Sequence, residues 1–167
     1  MGAKATKITY FDGSYYEGDV NDKGKEDGKG RIHYANGDSL KGTFEDGDCT
    51  YAIISKKSGD SYEGHMKDHK YHGSGILVTN RFTQTGLFRD NRFVHGKVVF
   101  TDGSKYEGSV ENGGKAGKGH YTARDGTEYI GYFHHDKLNS SGEVRHKNGS
   151  VYRGSFRDGE YHGKGHL

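Results

Sequence analysis

The stretch DGSKYEGSV, Asp102–Val110, decides the fold because the chain returns to it again and again. Near copies are DGSYYEGDV (Asp12–Val20), GDSYEGHM (Gly59–Met66) and NGSVYRGSF (Asn148–Phe156). With the last glycine of Y-x-G as anchor, it recurs at Gly18, Gly42, Gly64, Gly86, Gly108, Gly131 and Gly154, in steps of 22 to 24 residues. Five residues before each anchor stands a turn glycine: Gly13, Gly37, Gly59, Gly103, Gly126 and Gly149, with Arg81 in the fourth copy. After the anchor comes a G-x-G pair, as Gly28/Gly30, Gly73/Gly75, Gly117/Gly119 and Gly163/Gly165. The sixth copy keeps Ser140/Gly142, the fourth Gly96 alone, and the second neither. Three features held in phase over seven copies define a repeat protein.

Each copy carries two short runs with period-two alternation, the mark of a half-buried strand. In the first run Tyr106, Gly108 and Val110 share one face, and Glu107 and Ser109 take the other. Tyr16/Gly18, Tyr62/Gly64, Tyr129/Gly131 and Tyr152/Gly154 repeat this, while the second copy has Leu40/Gly42. The second run begins at G-x-G, with Gly30, Ile32 and Tyr34 on one face and Lys29, Arg31 and His33 on the other. Polar segments such as KDHKYH (67–72) join the two runs into a β-hairpin. Asp-Gly and Asn-Gly then turn the chain into the next unit, since these residues tolerate positive φ. Glycine inside a strand marks the close approach of another group. Each ring is therefore expected over a glycine of a neighbouring strand. The expected fold is all-β: one elongated, twisted antiparallel sheet of about fourteen strands, made of seven stacked ~23-residue hairpins that each contact their neighbours.

Composition agrees with a thin apolar layer. Leu, Ile, Val and Phe make up 27 of 167 residues, below the ~20% under which disorder has to be considered. Thirteen Tyr and a net charge of only +2 argue against a disordered chain. The 29 glycines, with no Pro and no Trp, are periodic and so structural. Charges are mixed, with no run of five alike, which gives no pull toward nucleic acid. Cys49 is the only cysteine, which fits a reducing compartment and excludes an internal disulfide framework. The first residues hold no apolar signal stretch, so the expected location is the cytoplasm.

Catalytic chemistry is not visible. GGKAGKGH (113–120) lacks the order of a phosphate loop, which needs G-x-x-x-x-G-K-[ST] opening a helix. EDGDCT (45–50) lacks the further ligands of a calcium loop. His72, His95 and His162 fall at equivalent loop positions, and His134-His135 is a pair in the loop of the sixth copy; neighbouring strand residues point apart, so joint chelation there would need an unusual turn. No metal and no cofactor is expected. The places to seek a partner contact are those where the pattern fails. These are CTYAIIS (49–55), with Cys49, Tyr51, Ile53 and Ile54, and the fourth copy, where Gln84 replaces the tyrosine.

The pattern D/N-G-S-x-Y-x-G-x-[FVM] followed by H-G-x-G resembles the MORN repeat (membrane occupation and recognition nexus) over essentially residues 1–167. The frequent Trp of that family is replaced by Val20, Phe44, Met66, Phe88, Val110, Phe133 and Phe156. The resemblance implies one array with partial repeats at both ends, no catalysis of its own, and a scaffold that binds proteins of a large assembly through its groove or sheet edges. The first copy is loosely similar to radial-spoke-head members, which implies a cilium or flagellum axoneme. Unfinished strands at both ends leave open pairing with a second copy, or a longer array. The alternative implied by the family name is a peripheral module binding anionic phospholipid; no cluster of about four to eight Lys/Arg supports it.

Overall fold

The computed structural model describes residues 5–167, all strand and turn. Fifteen strands form one open antiparallel sheet in sequence order. Within-chain contacts group them into two units. The first runs to Asn80 and takes in Phe88–Arg92; the second holds Arg81–Leu87 and residues from Phe93 onward.

In the first unit lie β1 (Thr6–Thr9), β2 (Tyr15–Val20), β3 (Glu26–His33), β4 (Ser39–Glu45), β5 (Asp48–Ser55), β6 (Ser61–Lys67) and β7 (Lys70–Val78). β8 (Phe82–Arg89) divides its residues between the units. The second unit holds β9 (Arg92–Phe100, from Phe93), β10 (Lys105–Glu111), β11 (Gly114–Thr122), β12 (Glu128–His134), β13 (Lys137–Arg145), β14 (Val151–Arg157) and β15 (Glu160–His166). Seven hairpins alone supply fourteen strands; the fifteenth is β1, ahead of the first copy. At the other end β15 is a full strand rather than the start of one, and it pairs with β14 from Arg157↔Glu160 to Arg153↔His166.

The segment KDHKYH is not a loop. Only Asp68 and His69 turn, with φ of 49° and 61°, and Lys70, Tyr71 and His72 are already in β7. Asp90-Asn91, Asn112-Gly113 and Asp158-Gly159 likewise have positive φ at both positions. Two such residues make the primed two-residue turn whose twist matches that of the flanking strands. The Asp-Gly turns between hairpins work differently. At Tyr10–Ser14 only Gly13 has positive φ, while the Asp12 carboxylate accepts the Ser14 N–H at 2.9 Å.

Register lines up the core. In the first unit Ile8, Tyr16, Ile32, Leu40, Ile54, Tyr62 and Leu77 form one continuous row across the strands. In the second, Val98, Tyr106, Tyr121, Tyr129, Val144 and Tyr152 do the same. Tyr16, Tyr62 and Tyr106 are at most 2% exposed. Each fully buried side chain of this size is worth about 1.5–3 kcal/mol, so the row is the core of the sheet.

The expected pairing of ring and glycine is present at Tyr16/Gly30, Tyr62/Gly75, Tyr106/Gly119 and Tyr152/Gly165. In the even-numbered copies no first-strand tyrosine covers the glycine. There Cys49 approaches Gly42, Phe93 approaches Gly96, and Leu138 approaches Gly131. These apolar side chains come from the second strand of the hairpin, and cover the glycine where Leu40 or Gln84 stands for tyrosine or where Tyr129 tilts away onto Tyr121.

Candidate functional site

The first unit presents two different faces, and β5 contributes to both. A bulge sets this up: Thr43 pairs with Tyr51 and Phe44 with Cys49, so Thr50 is the extra residue. An extra residue reverses the alternation on either side of it. Cys49, Ala52 and Ile54 thereby join the packed face, at 5%, 0% and 8% exposure, while Tyr51 and Ile53 turn to the other. The four residues singled out in CTYAIIS are thus split two and two. Gln84 lies in the second unit, half-buried beside Phe82, Val98 and Phe100 in a depression of about 120 Å³.

On the packed face of the first unit is a groove of about 720 Å³. Its floor is the apolar row, with Leu40, Phe44, Ile54 and Met66. Tyr10, Tyr34 and Tyr71 line its sides, and Phe11 stands fully exposed at its mouth. Glu26, Asp12 and Asp38 add carboxylates. The Tyr10 hydroxyl donates to Glu26, and burial together with that carboxylate pushes the phenol well up from its ordinary value. Burial also raises the Tyr34 phenol. Cys49 is at the floor; its thiol donates to the Tyr51 carbonyl at 3.3 Å, and burial pushes it up to about 11. A thiol held neutral is a packing group, since reactivity belongs to the thiolate.

The opposite face carries Glu17, Arg31, Lys41, Ile53, Glu63 and Ile76 in one row, paired strand to strand. Lys29, Arg31, Lys41, Tyr51 and Ile53 line a second groove of about 460 Å³, floored by the paired Gly30 and Gly42. The Tyr51 hydroxyl donates to Glu63 at 3.0 Å, which raises the phenol.

The histidines do not gather. His72 sits 3.8 Å from Asp90, and His95 Nδ1 lies 3.0 Å from Ser109 Oγ. The rings of His134 and His135 do not point apart as strand neighbours do. Their centroids are 4.0 Å apart, because His135 has left the strand for the positive-φ turn. Among the described residues no group of three or more His, Cys, Asp or Glu could hold a metal ion. No helix among them is long and apolar enough to cross a membrane.

Hairpin repeats of 22 to 24 residues, every second one anchored by a tyrosine over a glycine, define an all-β repeat protein. The MORN repeat family model matches residues 16–39, 62–79, 106–128, 129–151 and 152–167. The chain belongs to the MORN repeat family. The stretches between matches, 40–61 and 80–105, hold the second and fourth copies, the two that lack the tyrosine. Alsin of Rattus norvegicus and Alsin of Homo sapiens are each 30% identical to the chain over 145 residues, covering 78% of it. The matched part is only 9% of the length of those relatives. Among solved structures, the TCP domain of SAS-4 (dCPAP) of Drosophila melanogaster, in complex with a proline-rich motif of Ana2 (dSTIL), is similar in fold. The TM-score is 0.50 at 14% identity, over 91% of this chain and 78% of that one.

Proposed function

We propose that the chain is a non-catalytic scaffold that binds an extended segment of a partner protein in the tyrosine-lined groove of its first unit. The partner belongs to a cytoskeletal assembly, that of a cilium or flagellum axoneme. The observation that carries this is the groove itself. Leu40, Phe44, Ile54 and Met66 give it an apolar floor, and Tyr10, Tyr34 and Tyr71 give it amphipathic walls. Aromatic-lined grooves suit preformed proline-rich segments, whose backbone stays extended at little entropic cost. The fold relative SAS-4 was solved with a segment of that kind, which supports the same class of ligand here.

The test uses two exposed residues of the groove, so that folding is preserved. The chain and its Phe11→Ala/Tyr34→Ala variant are used in parallel to capture proteins from a ciliated-cell lysate. Cytoskeletal proteins held by the first and lost by the second support the reading. Equal capture by both overturns it.

A further inference from the structure

On the exposed face of the first unit, charge is laid out along one row. Arg31 is flanked by Glu17 on β2 and by Lys41 on β4. Lys41 is followed by Ile53 on β5, and Ile53 by Glu63 on β6. The equivalent row of the second unit reads Lys97, Glu107, His120, Ile130, Glu143, Arg153 and His166. There each Lys or Arg has a carboxylate directly beside it, and Glu143 is bonded to Arg153 at 2.8 Å. Lys41 departs from that rule, since its neighbours in the row are Arg31 and Ile53. Like charges directly opposite on neighbouring strands destabilise the pair.

Glu17 borders Arg31 on its other side, but no carboxylate stands beside Lys41 in the row. Lys29 stands two residues before Arg31 on the same strand and face, which adds a third positive charge. All three side chains are exposed. None of the three is in an ion pair with another described residue; Glu17 is turned to His33 at 3.7 Å. Beside the charges lie Tyr51 and Ile53, 37% and 43% exposed, so the groove offers an apolar wall along a cationic strip.

We infer that this strip holds an extended acidic segment of a partner protein, lying along β3 and β4 with an apolar side chain against Tyr51 and Ile53. This surface is separate from the tyrosine-lined groove, which opens on the packed face. The width of the strip selects a peptide. Strands lie ~4.8 Å apart, so Glu17 and Glu63, four spacings from each other, bracket the cations within roughly 19 Å. A single chain fits between the two carboxylates. A broad anionic surface such as a bilayer meets both of them along with the cations.

The experiment is fluorescence anisotropy with a labelled glutamate-rich peptide containing one leucine. It is run on the whole chain and on Arg31→Gln, Lys41→Gln and, as control, Lys147→Gln in the second unit. Saturable binding that weakens with salt, falls about tenfold or more in the first two variants and is unchanged in the control is expected. Vesicles of phosphatidylcholine with phosphatidylserine are tested in parallel and should sediment without the chain. A Lys41→Glu variant should melt at a higher temperature while losing the peptide, because it replaces the like-charge contact. The inference is overturned if the peptide does not bind, or binds the Arg31 and Lys41 variants as well as the natural chain. It is also overturned if vesicles take up the chain through the same residues, or if Lys41→Glu melts no higher.

Discussion

The ring of Tyr62 fills the space that a side chain on Gly75 would need: a Cβ there would lie 2.5 Å from the Tyr62 hydroxyl oxygen and 2.7 Å from Cε2. Tyr62 cannot yield, because it is 1% exposed, stacks on Tyr71 at 3.8 Å and meets Phe88 edge-on at 5.4 Å. Gly75→Ala should therefore cost about 2–3 kcal/mol in urea unfolding, the upper part of the range for overpacking a closed core. Gly142→Ala is the comparison. Its new Cβ would lie 3.0 Å from the Ile130 carbonyl oxygen and 3.3 Å from Phe156, both longer than the contacts at Gly75, so its cost should be smaller, about 1 kcal/mol. Equal losses in the two variants would mean that ring contact does not set the glycine requirement.

The hydroxyls of the buried tyrosines have a second task. Between Gly64 and Met66 the β6–β7 register shifts, and the Tyr62 hydroxyl donates to the His65 carbonyl at that shift, at 2.7 Å. Tyr16 reaches Asp19, and Tyr106 reaches Ser109, each at 2.7 Å and each at its own bulge. One residue thus covers the glycine and satisfies the acceptor that the bulge frees. Tyr62→Phe keeps the ring and removes the donor, so about 1–2 kcal/mol should be lost in the same unfolding assay. A phenylalanine variant as stable as the natural chain would show that solvent satisfies the carbonyl instead.

The same burial makes the fold sensitive to alkali. Burial pushes the phenols of Tyr16, Tyr62 and Tyr106 up to about 12, against ~10 in the unfolded chain. The folded state then holds these protons more tightly than the unfolded state does. Their contribution is complete below about pH 10 and is lost as the pH rises to about 12. Stability followed across that window should fall steeply in the natural chain, and less steeply once all three tyrosines are replaced by phenylalanine. Parallel slopes would assign the alkaline loss to other groups.

Much of this was legible in the sequence. The anchor glycines and the alternation of Tyr106, Gly108 and Val110 determine hairpins, and glycine within a strand pointed to a ring above it. What escaped was whatever depends on one extra residue or on register. The bulge at Thr50 places Cys49 with Ile54, whereas plain alternation would group Cys49, Tyr51 and Ile53. Asp68-His69 hid its turn because neither residue is the usual glycine, and the strand therefore seemed to begin later than it does. The Arg31–Lys41 contact joins residues ten apart, and only the pairing of β3 with β4 brings them face to face.

The turn at Asp68-His69 gives a prediction of opposite sign. His69 has φ of 61°, a conformation that costs a residue with a side chain about 1 kcal/mol. His69→Gly should raise stability by about 0.5–1 kcal/mol, because glycine takes that conformation freely. Asn91, at the same place in the next hairpin with φ of 71°, should not gain, since its side-chain oxygen accepts the Tyr71 N–H at 2.9 Å. Thermal melts of the two glycine variants separate these outcomes.

The scaffold reading rests on the tyrosine-lined groove of the first unit, and a direct titration tests it. A fluorescent proline-rich peptide is added to the chain and to its Tyr34→Ala variant, with folding checked by circular dichroism. Saturable binding, weakened about tenfold by loss of the Tyr34 ring, is the predicted result. No binding, or equal binding to both folded proteins, would contradict it.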